Sequence, residues 1–345
     1  MNTQTINKEL LENSANHNHL YSFFLNNSFW NDCDAKLKQT PWHRQESEKS
    51  LVFCNEENIS QVEQLRKIFD INTKVFEERH TEAISGDGHE ERRILTLHSS
   101  SLLSLLCFYQ VSKSCPLRLY PTQGLDFKFT NVRFEKQNKL SYRYKRIDDK
   151  IIPHDSNMDI MLWEGDYEKP DTVLFLESKF TEYLSNGAYG NISTAYKEIF
   201  DDLGLLNDGN EELDMKVVEG TNKFNQTCFI LKSRKSKYTH SYLGGIKQMI
   251  SHFMGACTYA SEHTNTQVYL GSVVYQFEKK IDKGKFENYK STYQGIMQAL
   301  QKLLEKHNTC SNLHLIDNLL TYNEVFSKDS TYKLDEKVAQ YYYLE

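Results

Sequence analysis

The pattern of apolar and polar residues along the chain predicts an α/β fold. Apolar side chains at helical spacing over residues 59–69 predict one helix, and the apolar run over residues 102–109, preceded by three serines, predicts another. Three strands are predicted next, over residues 127–134, 157–163 and 173–180. A helix over residues 243–254, a strand over 268–277 and a helix over 286–304 complete the order. The polar, turn-rich link at residues 164–171 predicts that the second and third strands form a β-hairpin.

The same pattern divides the chain into two parts. Residues 1–92 are polar and irregular, and predict a mostly helical N-terminal accessory region that ends in a glycine-containing linker near residue 86. Residues 93–345 carry the predicted sheet and its helices. Within them, residues 181–240 are rich in polar residues with little strand pattern, which predicts an insertion into the second domain.

Composition narrows the class of protein. Of 345 residues 39% are hydrophobic, with 21 tyrosines and 19 phenylalanines, which is enough for a packed interior. No apolar run has the length of a membrane span, and the first residues lack the pattern of a signal peptide. The seven cysteines are scattered and none forms a CxxC pair, so neither a zinc site nor a disulfide framework is indicated. These features predict a reduced, cytoplasmic protein without a membrane partner.

Charged residues interrupt two predicted strands that should be buried. Asp159 lies in the first strand of the hairpin, and Glu177 and Lys179 lie in the second, on one face because side chains alternate. Burying such charges is costly unless they pair or hold a metal. Two carboxylates beside a lysine suit Mg²⁺-dependent hydrolysis of a phosphodiester, since the acids bind a hard cation and the ammonium offsets charge on the phosphate. The alternative is a structural salt bridge.

Asp159 followed by Glu177-Ser178-Lys179 resembles the signature of the PD-(D/E)xK nuclease superfamily, although Met158 stands where the family often has proline. With Phe134-Glu135 upstream and the helix containing Gln248 and His252 downstream, the passage is similar to bacterial proteins assigned as restriction endonucleases. The resemblance implies a restriction-endonuclease-like core, a mixed central sheet flanked by helices. The predicted order of helix, three strands, helix and strand agrees with that core.

The resemblance also implies roles for individual residues. Asp159 and Glu177, with the backbone carbonyl of Ser178, would bind Mg²⁺, for which Mn²⁺ could substitute, and Lys179 would orient the attacking water or stabilise the transition state. Glu135 is either a further metal ligand or a surface glutamate, and both readings stay open. Gln248 is expected to face the site from its helix. His252, four residues later on the same face, is either a site residue or part of a packed helix interface.

Basic residues precede this helix although the net charge is −6. Lys232, Arg234, Lys235 and Lys237 are expected on a loop near the active-site cleft, where they would contact phosphates. The alternative is a solvated surface. A local basic groove is compatible with an acidic protein, because the potential at the cleft matters more for binding than the total charge.

These expectations combine into a metal-dependent DNA endonuclease, and the resemblance implies one of the restriction type. A DNA repair or mobile-element nuclease is one alternative. A non-catalytic nucleic-acid-binding module with the same fold is another. Cleavage of both DNA strands would normally need two sites, hence a homodimer or sequential nicking, and no coiled-coil pattern supports either.

Overall fold

The computed structural model describes residues 23–24, 27–31, 33, 37–42, 45–53, 59–86, 90–121, 125–147, 150–184, 192–222, 224–234, 243–326 and 331–344. The strands are β1 (Leu37–Trp42), β2 (Gln45–Phe53), β3 (Leu117–Leu119), β4 (Phe127–Phe129), β5 (Asn131–Ser141), β6 (Ile151–Gly165), β7 (Pro170–Lys179), β8 (Met215–Thr221), β9 (Thr227–Ser233), β10 (Gln267–Val274), β11 (Leu313–Leu315) and β12 (Leu320–Thr321). The helices are α1 (Gln61–Phe69), α2 (Val75–Ala83), α3 (Glu90–Arg93), α4 (Ser100–Phe108), α5 (Lys197–Asp202), α6 (Leu243–Glu262), α7 (Lys279–Asp282), α8 (Lys285–His307), α9 (Tyr322–Val325) and α10 (Glu336–Tyr342).

A mixed sheet forms the centre of the protein. Its strands lie in the order β11-β10-β7-β6-β5. The short strand β12 pairs with the last two residues of β10, after the part of β10 that pairs with β11. Strands β5, β6 and β7 are antiparallel neighbours, whereas β7 and β10 are parallel. The middle of β7 is fully buried from Val173 to Leu176, as expected for a strand covered on both faces. The predicted β6–β7 hairpin and the α/β class are confirmed. Whether the core is restriction-endonuclease-like stays a prediction.

The N-terminal region shares a core with the C-terminal helix. Phe29, Phe53 and Phe69 surround the ring of Tyr341 on α10, with ring centroids 5.1 to 5.9 Å from it. Helix α1 confirms the predicted helix near residues 59–69, but the hairpin β1–β2 was not predicted for a region expected to be mostly helical. Aromatic packing therefore joins this part of the N-terminal region to α10.

The predicted insertion contains more regular structure than its sequence suggested. Strands β8 and β9 pair as an antiparallel hairpin over seven residues each. Their inner side chains (Met215, Val217, Phe229 and Leu231) are buried and alternate with the more exposed Lys216, Val218, Ile230 and Lys232. The prediction of little strand was wrong here, because this period of two was masked by the polar flanks.

Helix α6 packs across β5, β6 and β10 and brings its side chains over the sheet. Close approach depends on Gly255, because a Cβ added there would lie 2.9 Å from Cβ of Ser156 and 3.2 Å from Cε of Met158. No helix among the residues given above has the length and apolarity needed to cross a membrane.

We expect Gly255→Ala to lower the free energy of unfolding by about 1–3 kcal/mol, since overpacking outweighs the gain in helix propensity. Gly295→Ala on α8 is the matched control, because its new methyl would meet only the movable end of Leu213 at 3.2 Å. Urea unfolding of both variants measures the difference. Equal stability of the two variants would show that α6 can move away from the sheet without cost.

A buried histidine makes stability depend on pH. His80 on α2 is 5% exposed, and within the described part of the chain its Nε2 has no hydrogen-bond partner. Burial lowers the pKa of His80 to about 4 from an ordinary 6.5. The unfolded chain therefore binds the proton first, and the free energy of unfolding should fall by up to about 3 kcal/mol as the pH drops from 6.5 to 4.

Urea midpoints across that pH range measure this loss. The His80→Phe variant should lose less stability over the same interval, because it has no ring to protonate. His154→Gln, at an exposed position on β6, should keep the wild-type dependence. A wild-type slope in the His80→Phe protein would contradict the assignment.

Candidate active site

The strands β6 and β7 separate at the position of the sequence motif. Their ladder ends with the pair Ile160 and Leu176, so Asp159 and Glu177 are the first residues beyond the last paired positions of the two strands. Beyond this point β6 continues to pair with β5 alone. The backbone N–H of Ser178 donates a 2.7 Å hydrogen bond to Oδ2 of Asp159. A side chain thus replaces the backbone ladder and places a carboxylate between the separating strands.

The backbone of Glu135 is unusual for a strand. It lies opposite Asp159, between the pairs Phe134–Ile160 and Lys136–Met158, and its φ of 50° is in the left-handed region. A non-glycine residue adopts this conformation at a cost, and such residues cluster at functional sites. A carboxylate of α2 supports the distortion, since Oε2 of Glu82 accepts the backbone N–H of Phe134 at 3.2 Å. The N-terminal region therefore helps to shape this part of the sheet.

Glu177 is fully buried, and both of its oxygens are engaged. The ammonium of Lys179 donates to Oε1, and Nε2 of His252 on α6 contacts Oε2. The other ring nitrogen of His252, Nδ1, lies 2.6 Å from the hydroxyl of Ser156 on β6. A hydrogen-bonded chain therefore runs from Ser156 through His252 and Glu177 to Lys179, across three elements of the fold.

The electrostatics keep Glu177 and Lys179 ionised. Burial alone would raise the pKa of Glu177, but Lys179 and His252 outweigh burial and lower that pKa to about 2. Burial opposes the charge of Lys179, yet the neighbouring carboxylates, Glu177 foremost, raise the pKa of the ammonium above its ordinary value. Glu177 and Lys179 thus form a permanent buried ion pair at neutral pH.

Asp159 behaves in the opposite way. Burial raises the pKa of its carboxyl well above the ordinary value, and repulsion from Glu177 and then Glu135 adds to this effect. Lys179 and the N–H of Ser178 favour the charged form but do not compensate fully. A cation beside Asp159 would remove the repulsion. Clustered carboxylates with one strongly raised pKa are typical of functional sites.

The donors at this position fit a hard cation bound by few protein ligands. Asp159 and Glu135 are both half-buried, and Mg²⁺ often takes one or two carboxylates together with water. The carbonyl of Ser178 points to the same side as its N–H, toward Asp159, because both groups of a strand residue face the same neighbour. Within the described residues, no three His, Cys, Asp or Glu side chains are placed to bind one metal. Joint binding by Asp159 and Glu177 stays a prediction.

Helix α6 contributes to the site through His252, the residue whose role the sequence left open. Gln248 lies one turn earlier on the same face of α6 and is half-buried. Its expected role at the site stays a prediction. Ser156 was missed, because a single serine in a polar stretch of strand carries no signal of its own. Its importance follows only from contact with His252, which lies 96 residues away in sequence.

The four basic residues are placed differently from the expected loop. Lys232 is exposed but lies within β9, so its placement on a loop was wrong. Arg234 follows β9, is half-buried and has its Nη1 3.9 Å from Oε2 of Glu211, because the chain turns it back toward this acid. Lys235 and Lys237 lie outside the described residues. Contact of these side chains with phosphates stays a prediction.

The chain was compared with known proteins by sequence and by structure. No protein-family model, curated protein or solved structure matches it. The geometry around Asp159 and Glu177, together with the motif in the sequence, is therefore the basis for a function.

Proposed function

We propose that this protein is a Mg²⁺-dependent DNA endonuclease of the PD-(D/E)xK type. The separation of β6 and β7 at Asp159 and Glu177 is the observation that carries the proposal. It sets a destabilised carboxylate next to a second acid and a buried ammonium. An arrangement with little structural benefit, built on a distorted strand, is better explained by chemistry than by stability.

In this proposal each residue of the site has a separate role. Asp159 and the carbonyl of Ser178 would hold Mg²⁺, Glu177 would join them by exchanging one of its present partners for the metal, and Glu135 would hold it directly or through water. When bound, the metal supplies Lewis-acid stabilisation of the phosphate and a more acidic water. Lys179 places a permanent positive charge beside the developing negative charge of the transition state. Glu177 keeps that ammonium charged and in place, and His252 fixes the orientation of Glu177.

The direct test is incubation with supercoiled plasmid DNA in Mg²⁺, in Mn²⁺ and in EDTA. Conversion to nicked or linear DNA should occur with either metal and stop with EDTA. Cleavage that persists in EDTA, or the absence of cleavage in both metals, would contradict the proposal. Native mass spectrometry of the same sample would test the possible homodimer.

One observation favours a second candidate, a nucleic-acid-binding module without turnover. Both oxygens of Glu177 are already engaged by Lys179 and His252, so this carboxylate would have to give up a partner to bind metal. DNA binding without cleavage in Mg²⁺ or Mn²⁺ would support this candidate. Repair and mobile-element nucleases share the chemistry of the first proposal, and substrate preference would separate them from a restriction enzyme.

The outer face of the β8–β9 hairpin is a candidate for DNA contact. Lys216 and Lys232 are directly opposite on the two strands, and no described residue forms an ion pair with either. Like charges in this position are destabilising, and a bound phosphate would relieve them. Replacing both with glutamine should weaken DNA binding in EDTA and flatten its dependence on salt by about two units of slope.

Fluorescence anisotropy at several salt concentrations measures this slope. Lys302→Gln is the control, since Lys302 is exposed but already 3.3 Å from Glu212. If the double variant retained the wild-type slope, the hairpin would be excluded from the DNA-binding surface.

A further inference from the structure

Two cysteines far apart in sequence meet beside helix α6. Cys257 is buried on α6, and Cys310 is half-buried in the turn after α8, where its φ is 50°. The thiol of Cys310 donates to the carbonyl oxygen of Cys257 at 3.5 Å, and each cysteine side chain shifts the pKa of the other. Ser261 completes the cluster, because its hydroxyl lies 3.5 Å from Sγ of Cys310 and donates to the same carbonyl at 2.7 Å. The arrangement places a cysteine of α6 next to a cysteine of the turn after α8.

The surroundings make the two thiols chemically unequal. Interaction with the side chain of Cys257, and then with those of Ser261 and Thr309, lowers the pKa of Cys310 to about 7, although burial opposes this effect. Burial raises the pKa of Cys257 well above its ordinary value. At neutral pH, Cys310 therefore has a large thiolate fraction and partial exposure, the two properties of a reactive cysteine. Cys257 is the protonated partner next to it.

We propose that Cys257 and Cys310 are an oxidation site, at which a hydroperoxide converts the two thiols into a disulfide that ties α6 to the turn after α8. The thiolate sulfur of Cys310 attacks a peroxide oxygen, the O–O bond breaks, and protonation of the leaving oxygen gives water or an alcohol. The sulfur of Cys257 then attacks the resulting sulfenic acid, the S–O bond breaks, and the proton of Cys257 leaves with the hydroxide as water. Two thiols are oxidised and one hydroperoxide is reduced.

This site does not depend on the proposed nuclease function. It does share a helix with that function, because α6 also carries His252. A disulfide at Cys257 would hold the C-terminal half of the helix against the end of α8. Any effect on DNA cleavage would be a consequence to measure afterwards and is not part of the test.

The test uses the full-length protein treated with hydrogen peroxide at pH 7, quenched, denatured and alkylated with N-ethylmaleimide. Intact mass should fall by two hydrogen atoms before alkylation, and peptide mapping should find one peptide pair joining Cys257 to Cys310. Cys310→Ser should eliminate this linkage. Cys115→Ser is the matched control, because Cys115 is also half-buried but burial and Asp335 raise its pKa, and this variant should still form the linkage.

A second measurement uses the untreated protein and covers the case in which a variant folds poorly. With limiting iodoacetamide at pH 7, Cys310 should be alkylated before Cys115. The proposal is overturned if Cys310 proceeds to sulfinic acid while Cys257 remains alkylatable. It is also overturned if Cys115 reacts first, or if the linkage forms equally between other cysteines.

Discussion

Asp159→Asn should reduce DNA cleavage by about a thousand-fold without damaging the fold, because loss of a metal-binding carboxylate removes several kcal/mol of transition-state stabilisation. The asparagine oxygen can still accept the N–H of Ser178, so the separation of β6 and β7 is preserved. Its neutral side chain also removes repulsion from Glu177 and Glu135. At pH 7 burial and the neighbouring acids disfavour the ionised carboxylate of the wild-type protein. The free energy of unfolding of the variant should therefore be higher by roughly 1 kcal/mol.

Single-turnover cleavage and urea unfolding at pH 7 together make this test specific. Asp155→Asn is the matched control on the same strand, because Asp155 forms a surface ion pair with Lys139 at 3.0 Å and should affect neither measurement strongly. Wild-type cleavage by Asp159→Asn would place the chemistry elsewhere. A large loss of stability would show that Asp159 is a structural residue.

Glu177→Gln should lower the free energy of unfolding by about 3–5 kcal/mol, since it leaves the buried ammonium of Lys179 without its carboxylate. The two carboxylate oxygens of Glu177 accept hydrogen bonds from Lys179 and from His252. The amide of glutamine has only one accepting oxygen, so it cannot serve both donors. The loss should appear as a lower urea midpoint with an unchanged slope. Lys179→Ala should have a similar cost, so loss of cleavage in that variant would not by itself identify a catalytic lysine.

A second substitution distinguishes the effect of the unpaired charge on Lys179 from the effect of changed packing. Adding Lys179→Met to the Glu177→Gln protein should recover part of the lost stability, because the unpaired charge is removed while most of the volume remains. Glu164→Gln, at an exposed position on β6, should change stability by less than about 0.5 kcal/mol. If the double variant were no more stable than Glu177→Gln alone, the buried ion pair would not be the cause of the loss.

Several features of this protein follow from local sequence. The apolar runs on either side of residues 164–171 specify neighbouring strands, and the structure has them as the hairpin β6–β7. The spacing of Glu177 and Lys179 places both side chains on one face, because alternation in a strand is a property of the backbone itself. Ser99 caps α4 through its hydroxyl, as its position before an apolar run predicted. Each of these inferences needs only one continuous stretch of the sequence.

The site required tertiary structure. The sequence indicates that Asp159 lies in a strand. Only the strand register shows that the pairing of β6 with β7 ends at Ile160, the residue next to Asp159. The left-handed backbone of Glu135, the contact of His252 with Glu177, and the meeting of Cys257 with Cys310 had no local signal. These features depend on how α6 docks on the sheet and how the strands separate. Periodicity specifies which face of an element is buried, whereas docking and register decide which distant residues meet on that face.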